Sequence, residues 1–433
     1  MNKIFFVFFI FSVLLFSCEK KDDSAQNSNV VEIEFWHGMG GPLGDALDSL
    51  IDEFNETHPK IYVNAVHMGN YTALSQKLMA SIQTNGQPDI AQSFEAWTAN
   101  FMEGDVLRCL EDFIADDPDF SEEDLNDFYP VFIKSNTMDG KLMSFPFNKS
   151  VSVLYYNKDI LFMNDLDPNK PPTNWDEYRE MFKLLTQDTD GDGKNDIFGS
   201  TFTISAWQFE NLLLQAGGEI MNEDNTKALF NSKEGIEALQ FIYNILMKDK
   251  TVYLSAGYDG QNDFLAGKVA MVEGSSVSMV FMRKNGIDFN LGISAIPTYK
   301  TKRSLISGTN IVIFKKEDEK RQQAAWEFIK WFTDTRQTAK WSELTYYMPV
   351  RRSAFEEEGL KNRLISNPEI ASVYNQLEYA SFEPQISEWF ETRKFLEEHV
   401  IEKVIRGILT PEEALENAAE MLEKKILKNR EKK

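Results

Sequence analysis

The feature that most constrains this 433-residue chain is an early stretch in which apolar periodicity alternates between strand and helix spacing. Val30 to Trp36 alternates apolar and acidic residues. Gly38, Gly40 and Pro42 then make a turn, and Leu43, Leu47, Leu50, Ile51 and Phe54 recur at helical spacing. Pro59 closes that helix. Ile61 to Val66 alternates as a second strand, Tyr71 to Ile82 reads as an amphipathic helix, and Asp89 to Phe94 as a short strand. The order β-α-β-α-β predicts a parallel sheet covered by helices, because parallel neighbours need a crossover. Ligands of such sheets lie at the carboxyl ends of the strands. Those ends carry Trp36-His37-Gly38, His67-Met68-Gly69-Asn70-Tyr71 and Phe94-Glu95-Ala96-Trp97, rich in aromatic and hydrogen-bonding groups.

Upstream of this sheet, Met1-Asn2-Lys3 is a short basic start and Ile4 to Phe16 is apolar apart from Ser12. A membrane span needs about 20 apolar residues, so the run reads as a signal peptide over 1–17. Leu15-Phe16-Ser17-Cys18 has the form of a lipobox, which predicts acylation of Cys18 and a membrane-anchored lipoprotein outside the cytoplasm. The rival reading is an ordinary cleaved signal with an incidental cysteine. Residues 18–29 then form a polar, flexible leash, since they have little apolar surface to bury. Cys109 is left as the other cysteine, among apolar neighbours, and reads as a small core residue. The formal charge of -23 opposes nucleic acid and anionic lipid, so an anionic ligand must be held by a few local donors.

Val151 to Tyr156 is a hydrophobic strand marking passage into a second lobe. Helical patterns follow at Trp175 to Leu185, Phe209 to Gln215, Glu234 to Met247 and Ala324 to Thr333, with a strand-rich passage from Leu291 to Ile313. The end of the chain, from Phe395, reads as charged amphipathic helix, with Thr410-Pro411-Glu412-Glu413 as an N-cap.

Phe35-Trp36-His37-Gly38, Gly69-Asn70-Tyr71, Pro146-Phe147-Asn148-Lys149-Ser150 and Leu154-Tyr155-Tyr156-Asn157-Lys158-Asp159 together resemble the extracellular solute-binding proteins of bacterial ATP-binding-cassette importers. Gly267 to Met271, Tyr346 to Val350 and Thr410 to Leu415 extend the likeness, which is greatest to the glycerol-3-phosphate-binding branch. The resemblance implies a periplasmic-binding-protein-like α/β fold, with two lobes joined by a hinge and a ligand cleft between them. Lobe 1 is placed at 30–145 with 305–350, and lobe 2 at 146–304 with 351–433. It further implies a monomer that delivers a small molecule to an inner-membrane permease, with no catalytic cofactor.

Carried over from the resemblance, the pocket falls by motif on Tyr71, Glu95, Ser150, Ser275, Gly308 and Tyr347, and by counting back from Thr410 with one gap on Arg393. Gly40 and Gly41 depart from a bulkier acidic step, and Lys149 stands where a small hydroxyl residue is usual. A phosphate needs hydroxyl and amide donors plus a guanidinium fork, for which Ser150, Ser275, Tyr347, the Gly308 amide and Arg393 qualify. Glu95 has only acceptors to offer and suits glycerol hydroxyls. Trp36, Trp97 and Trp207 are candidate apolar walls, Trp207 the preferred one. His37 and His67 have no metal-spaced partner and read as structural.

Asp188-Thr189-Asp190-Gly191-Asp192-Gly193-Lys194-Asn195-Asp196 matches a Ca²⁺ loop, with Asp188, Asp190, Asp192, Lys194 and Asp196 at the ligand positions and a structural role expected. The usual twelfth-position glutamate is replaced by Gly199. Two functions remain after this reading. One is a lipid-anchored receptor for glycerol-3-phosphate, a related glycerophosphodiester or, alternatively, a sugar. The other is a surface glycoside hydrolase using Glu95 with Asp159 or Glu210. Serine hydrolase, zincin and P-loop motifs are absent from the sequence.

Overall fold

The structure, a computed structural model, describes residues 30–431; the signal segment, Cys18 and the whole of the leash lie outside them. The chain runs β1 (Val31–His37), α1 (Pro42–Thr57), β2 (Ile61–His67), α2 (Tyr71–Ile82), β3 (Ile90–Ser93) and α3 (Glu95–Glu103) in the predicted order. It continues through β4 (Phe145–Ser150), β5 (Ser152–Asn157), α4 (Trp175–Leu185), β6 (Phe198–Thr203) and α5 (Ala206–Gln215). Then come β7 (Val252–Ser255), β8 (Val269–Ser275), β9 (Leu291–Ala295), β10 (Ser304–Leu305) and β11 (Ser307–Ile313). The last elements used below are α6 (Glu319–Phe332), α7 (Thr335–Thr345), β12 (Ala380–Ser381), α8 (Trp389–Phe395) and α9 (Pro411–Arg430).

Two five-stranded sheets divide the molecule into two α/β lobes. The first has the order β2-β1-β3-β11-β4 and the second β9-β5-β8-β6-β7. β1 pairs in parallel with β2 and β3, as the crossover argument requires, whereas β11 is antiparallel to both β3 and β4. Gly41, at φ 56°, turns the chain into Pro42 at the start of α1. A glycine is favoured at that positive φ, which accounts for the absence of a bulkier residue.

The chain crosses between the sheets at Val151 and again through β10, which pairs with β12 in a small parallel ribbon. The expected divide ahead of Pro146 falls inside β4, a strand of the first sheet, because Phe145 to Ser150 pairs with β11 apart from a bulge at Phe147. Residues just after 350 also stay with the first lobe. Leu360 packs on Ala339 of α7, and Arg363 donates to the Ser342 carbonyl at 3.0 Å. The first lobe's core is aromatic: Trp326 of α6 packs on Phe113, Phe120 and Phe145, and Trp341 of α7 stacks on Phe147. The second lobe buries α4, α5 and α9 around Leu154, Phe209 and Trp389. Thr410 and Glu413 cap α9 reciprocally, each side chain accepting the other's backbone N–H.

Candidate functional site

The strand ends meet between the lobes. Asn148 of β4 donates through Nδ2 to the hydroxyl oxygens of both Tyr71 and Tyr347, each at 2.9 Å. Its Oδ1 accepts from the Thr309 backbone N–H at 3.0 Å and from the Thr309 hydroxyl. Both phenolic oxygens accept from one amide; the Tyr71 O–H is directed at Met39 Sδ at 3.9 Å, a weak acceptor that a ligand oxygen can displace, and the Tyr347 O–H can be donated to a ligand. Burial pushes the Tyr71 and Tyr347 pKa values upward, so both are neutral donors at physiological pH. Tyr347 owes its position to Tyr346, whose left-handed φ of 60° ends α7, and to a stacked contact with Trp341. Asn148 lay within a family-like motif, but nothing in the sequence marked it as the link between two distant tyrosines.

Next along β4, Lys149 is fully buried and reaches Glu95 Oε1 at 2.9 Å and the Gly308 carbonyl at 3.2 Å. Asn310 Nδ2 donates to the same carboxylate oxygen at 3.3 Å. Glu95 is the first residue of α3, where the unsatisfied N–H groups of the helix favour a negative charge. Lys149 is thus the counter-ion of Glu95. Gly308 sits at φ 100°, and a Cβ there would lie 1.9 Å from the Asn148 carbonyl oxygen. Only glycine fits this approach of β11 to β4, and its carbonyl, beside the expected amide, takes part in the site.

The second lobe brings Arg393 of α8, paired with Glu383 at 3.1 Å. Glu383 was missed in the sequence because it sits in an irregular segment with no motif. Its carboxyl is held above the ordinary range by burial, with Arg393 opposing and Glu95 across the cleft adding to the shift. Glu210 of α5 is also close, and burial drives its pKa well above normal. Ser275, at the end of β8, is half-buried; Ser150, at the end of β4, is buried. Among the described residues neither hydroxyl is engaged by another protein group.

The tryptophans divide. Trp207 is half-buried on α5 and donates its N–H to the Leu305 carbonyl at 3.0 Å, at the crossing between lobes. Trp97 is 2% exposed and lies in a small core, with Phe94 and, from the opposite lobe, Phe390 against its ring. Trp36 packs at the edge of that core and bonds Glu34. His37 and His67 lie with ring centroids 5.6 Å apart. Burial, with the positive charge of His67 adding to it, lowers the His37 pKa to about 4.

In the acidic loop, ligand oxygens of Asp188, Asp190 and Asp196 lie within 4.8 Å of one another, all exposed. Asp192 and Lys194 are not part of that cluster; the Asp192 carboxylate instead accepts from the Lys194 backbone N–H at 2.8 Å. Gly199 cannot be a glutamate, since a Cβ there would lie 2.4 Å from the Phe182 Cα.

Two of the acids the sequence offered for hydrolysis are otherwise engaged. Asp159 is occupied at the surface by the backbone and side chain of Asn290, and Glu95 is neutralised by Lys149. Two lobes joined by crossing strands, with polar groups converging from both, define the architecture of a substrate-binding receptor. The profile of the bacterial extracellular solute-binding proteins matches residues 49–371, and the chain belongs to that family. It is therefore the extracytoplasmic receptor of an ATP-binding-cassette importer, for a small molecule, and not an enzyme. The sn-glycerol-3-phosphate-binding periplasmic protein UgpB of Yersinia pseudotuberculosis is 29% identical over 352 residues, 77% of each chain. Its namesake from Pectobacterium atrosepticum is 25% identical over 420 residues, 92% of this chain and 91% of its own. Among solved structures, the cyclic alpha-maltosyl-1,6-maltose binding protein from Arthrobacter globiformis superposes with a TM-score of 0.77 at 25% identity, over 92% of this chain and 100% of its own. UgpB from Mycobacterium tuberculosis in complex with glycerophosphocholine shares the fold, with a TM-score of 0.79 at 22% identity, over 92% and 99% of the two chains.

Proposed function

We propose that the cleft captures glycerol-3-phosphate or a related glycerophosphodiester, with the anionic group on Arg393 and the polyol on the first lobe. The observation that carries this reading is Arg393 itself. In a chain of net charge -23, a guanidinium stands between the lobes with its Nε buried and unpartnered among the described residues. A planar fork meets a phosphate through two oxygens at once. Tyr71 and Tyr347 supply hydroxyl protons, Glu95 accepts from the polyol, and Ser150 and Ser275 donate from opposite lobes. Ligand bridging both lobes favours the closed form in proportion to its differential affinity. The names of the curated relatives support the same ligand class.

A neutral sugar is the second reading, favoured by the Arg393–Glu383 pair, which already satisfies part of the guanidinium. Calorimetric titration with glycerol-3-phosphate, glycerophosphocholine and maltose separates them. The proposed function expects heat from the phosphates, with intact ligand recovered, and little from maltose; the reverse order overturns it.

Two further assignments belong to this proposal. Acylated Cys18 anchors the receptor, as a monomer, to the membrane, and labelling of the expressed protein with a radioactive fatty acid, lost in Cys18→Ser, is the check. The Asp188–Asp196 loop holds a structural Ca²⁺ through the three clustered aspartates.

A further inference from the structure

Glu210 has no task in the ligand scheme above, yet it is 0% exposed and neither of its carboxyl oxygens has a hydrogen-bond partner among the described residues. Around it stand Glu383 from the segment before α8, Trp389 and Arg393 from α8, and Glu397 from the turn after it. Burial and the two neighbouring glutamates disfavour its ionised form, and Arg393 and the Trp389 N–H oppose them. An ionised carboxylate in full burial demands donors, and here none closes to bonding distance. The buried Trp389 N–H and Arg393 Nε are likewise unpartnered. Full burial without a donor favours the neutral acid at Glu210, beside Arg393.

Its charge decides the balance of the pocket. Lys149 offsets Glu95, and Arg393 offsets Glu383. Glu397 accepts from the Ala206 N–H at 3.0 Å, the first residue of α5, where helix N–H groups compensate a carboxylate. Arg393 gives Glu383 one edge of its guanidinium and keeps Nε unpartnered, so a neutral Glu210 leaves that edge open to a ligand anion and an ionised Glu210 competes for it.

We propose that Glu210 is a specificity-determining residue, an acid beside Arg393 that in its neutral form leaves the unpartnered Nε edge of the guanidinium to the ligand's anionic group. This rests on the phosphate reading above. A proton lost from Glu210 turns the pocket against anions, and an anion that binds holds that proton in place.

The test uses glycerophosphocholine, a diester whose charge is constant across the range, titrated calorimetrically from acid to alkaline pH. Wild type is expected to lose at least tenfold in affinity on the alkaline side and to take up protons there, read by comparing buffers of different ionisation heat. Glu210→Gln, which mimics the neutral acid, is expected to bind as tightly as wild type at low pH and to keep that affinity at high pH. Matching pH profiles in the two proteins, or proton-free binding by wild type across the range, overturn the assignment while leaving the phosphate reading intact. Failure of both proteins to bind the diester at any pH overturns the phosphate reading and the filter together. Urea unfolding establishes that the variant is folded.

Discussion

Replacing Lys149 by Met tests the electrostatics on which the cleft is built. The change keeps most of the aliphatic stem and deletes the ammonium that lies 2.9 Å from Glu95 Oε1. At an effective dielectric near 20, that separation corresponds to a gross attraction of roughly 6 kcal/mol. Desolvation of both ions offsets much of it, and breaking a buried pair from one side costs about 3–5 kcal/mol because a charge is left uncompensated. Here the uncompensated group is Glu95, 5% exposed and facing Glu383 across the cleft. Without its cation, a buried carboxylate is left without a charge partner, a cost borne by the charged form in the folded variant and absent from the unfolded chain, and therefore greatest at high pH. Urea unfolding of wild type, Lys149→Met, Glu95→Gln and the double variant at pH 5 and pH 8 reads this directly. The single lysine variant should show its largest deficit at pH 8, and the double variant should recover most of it. Additive losses, with no coupling energy between the two positions, would refute the argument.

Arg393→Ala should weaken glycerophosphocholine binding by about 2–5 kcal/mol while leaving any maltose affinity nearly unchanged, as calorimetry would show. His37 titrates near 6.5 in the unfolded chain and at about 4 in the native lobe. Between those values only the unfolded state takes the proton, so stability is full above 6.5 and falls toward 4, by on the order of 3 kcal/mol. His37→Asn should flatten that acid limb of the urea midpoint. Calcium at a hundredfold excess over its dissociation constant should add about 2.7 kcal/mol to the stability of the second lobe, an increment lost in Asp188→Asn.

The sheet-and-helix alternation at the start of the first lobe was legible because each element buries one face and so writes its period into the sequence. Tyr71 to Ile82 and Trp175 to Leu185 emerge with the bounds their periodicity predicts. The insertion of β11 between β3 and β4 was not legible, since it joins residues some 160 and 220 positions apart and no local pattern records such pairing. The same holds in the cleft. Lys149 read as a departure from a family pattern, and only the fold reveals that Glu95, on another element, requires it. Glu383 carries no motif at all, and Glu210 reads in the sequence as a candidate hydrolytic acid, with nothing to mark its burial beside Arg393. Charges compensated across elements, like hydrogen bonds from one asparagine to two distant tyrosines, are properties of the tertiary arrangement.

Small-angle scattering of the receptor, with and without saturating glycerophosphocholine, tests the central claim most directly. Enclosure of ligand between two hinged lobes predicts a smaller radius of gyration in its presence and none of that compaction with Arg393→Ala. An unchanged profile at a concentration where calorimetry shows full occupancy would contradict it.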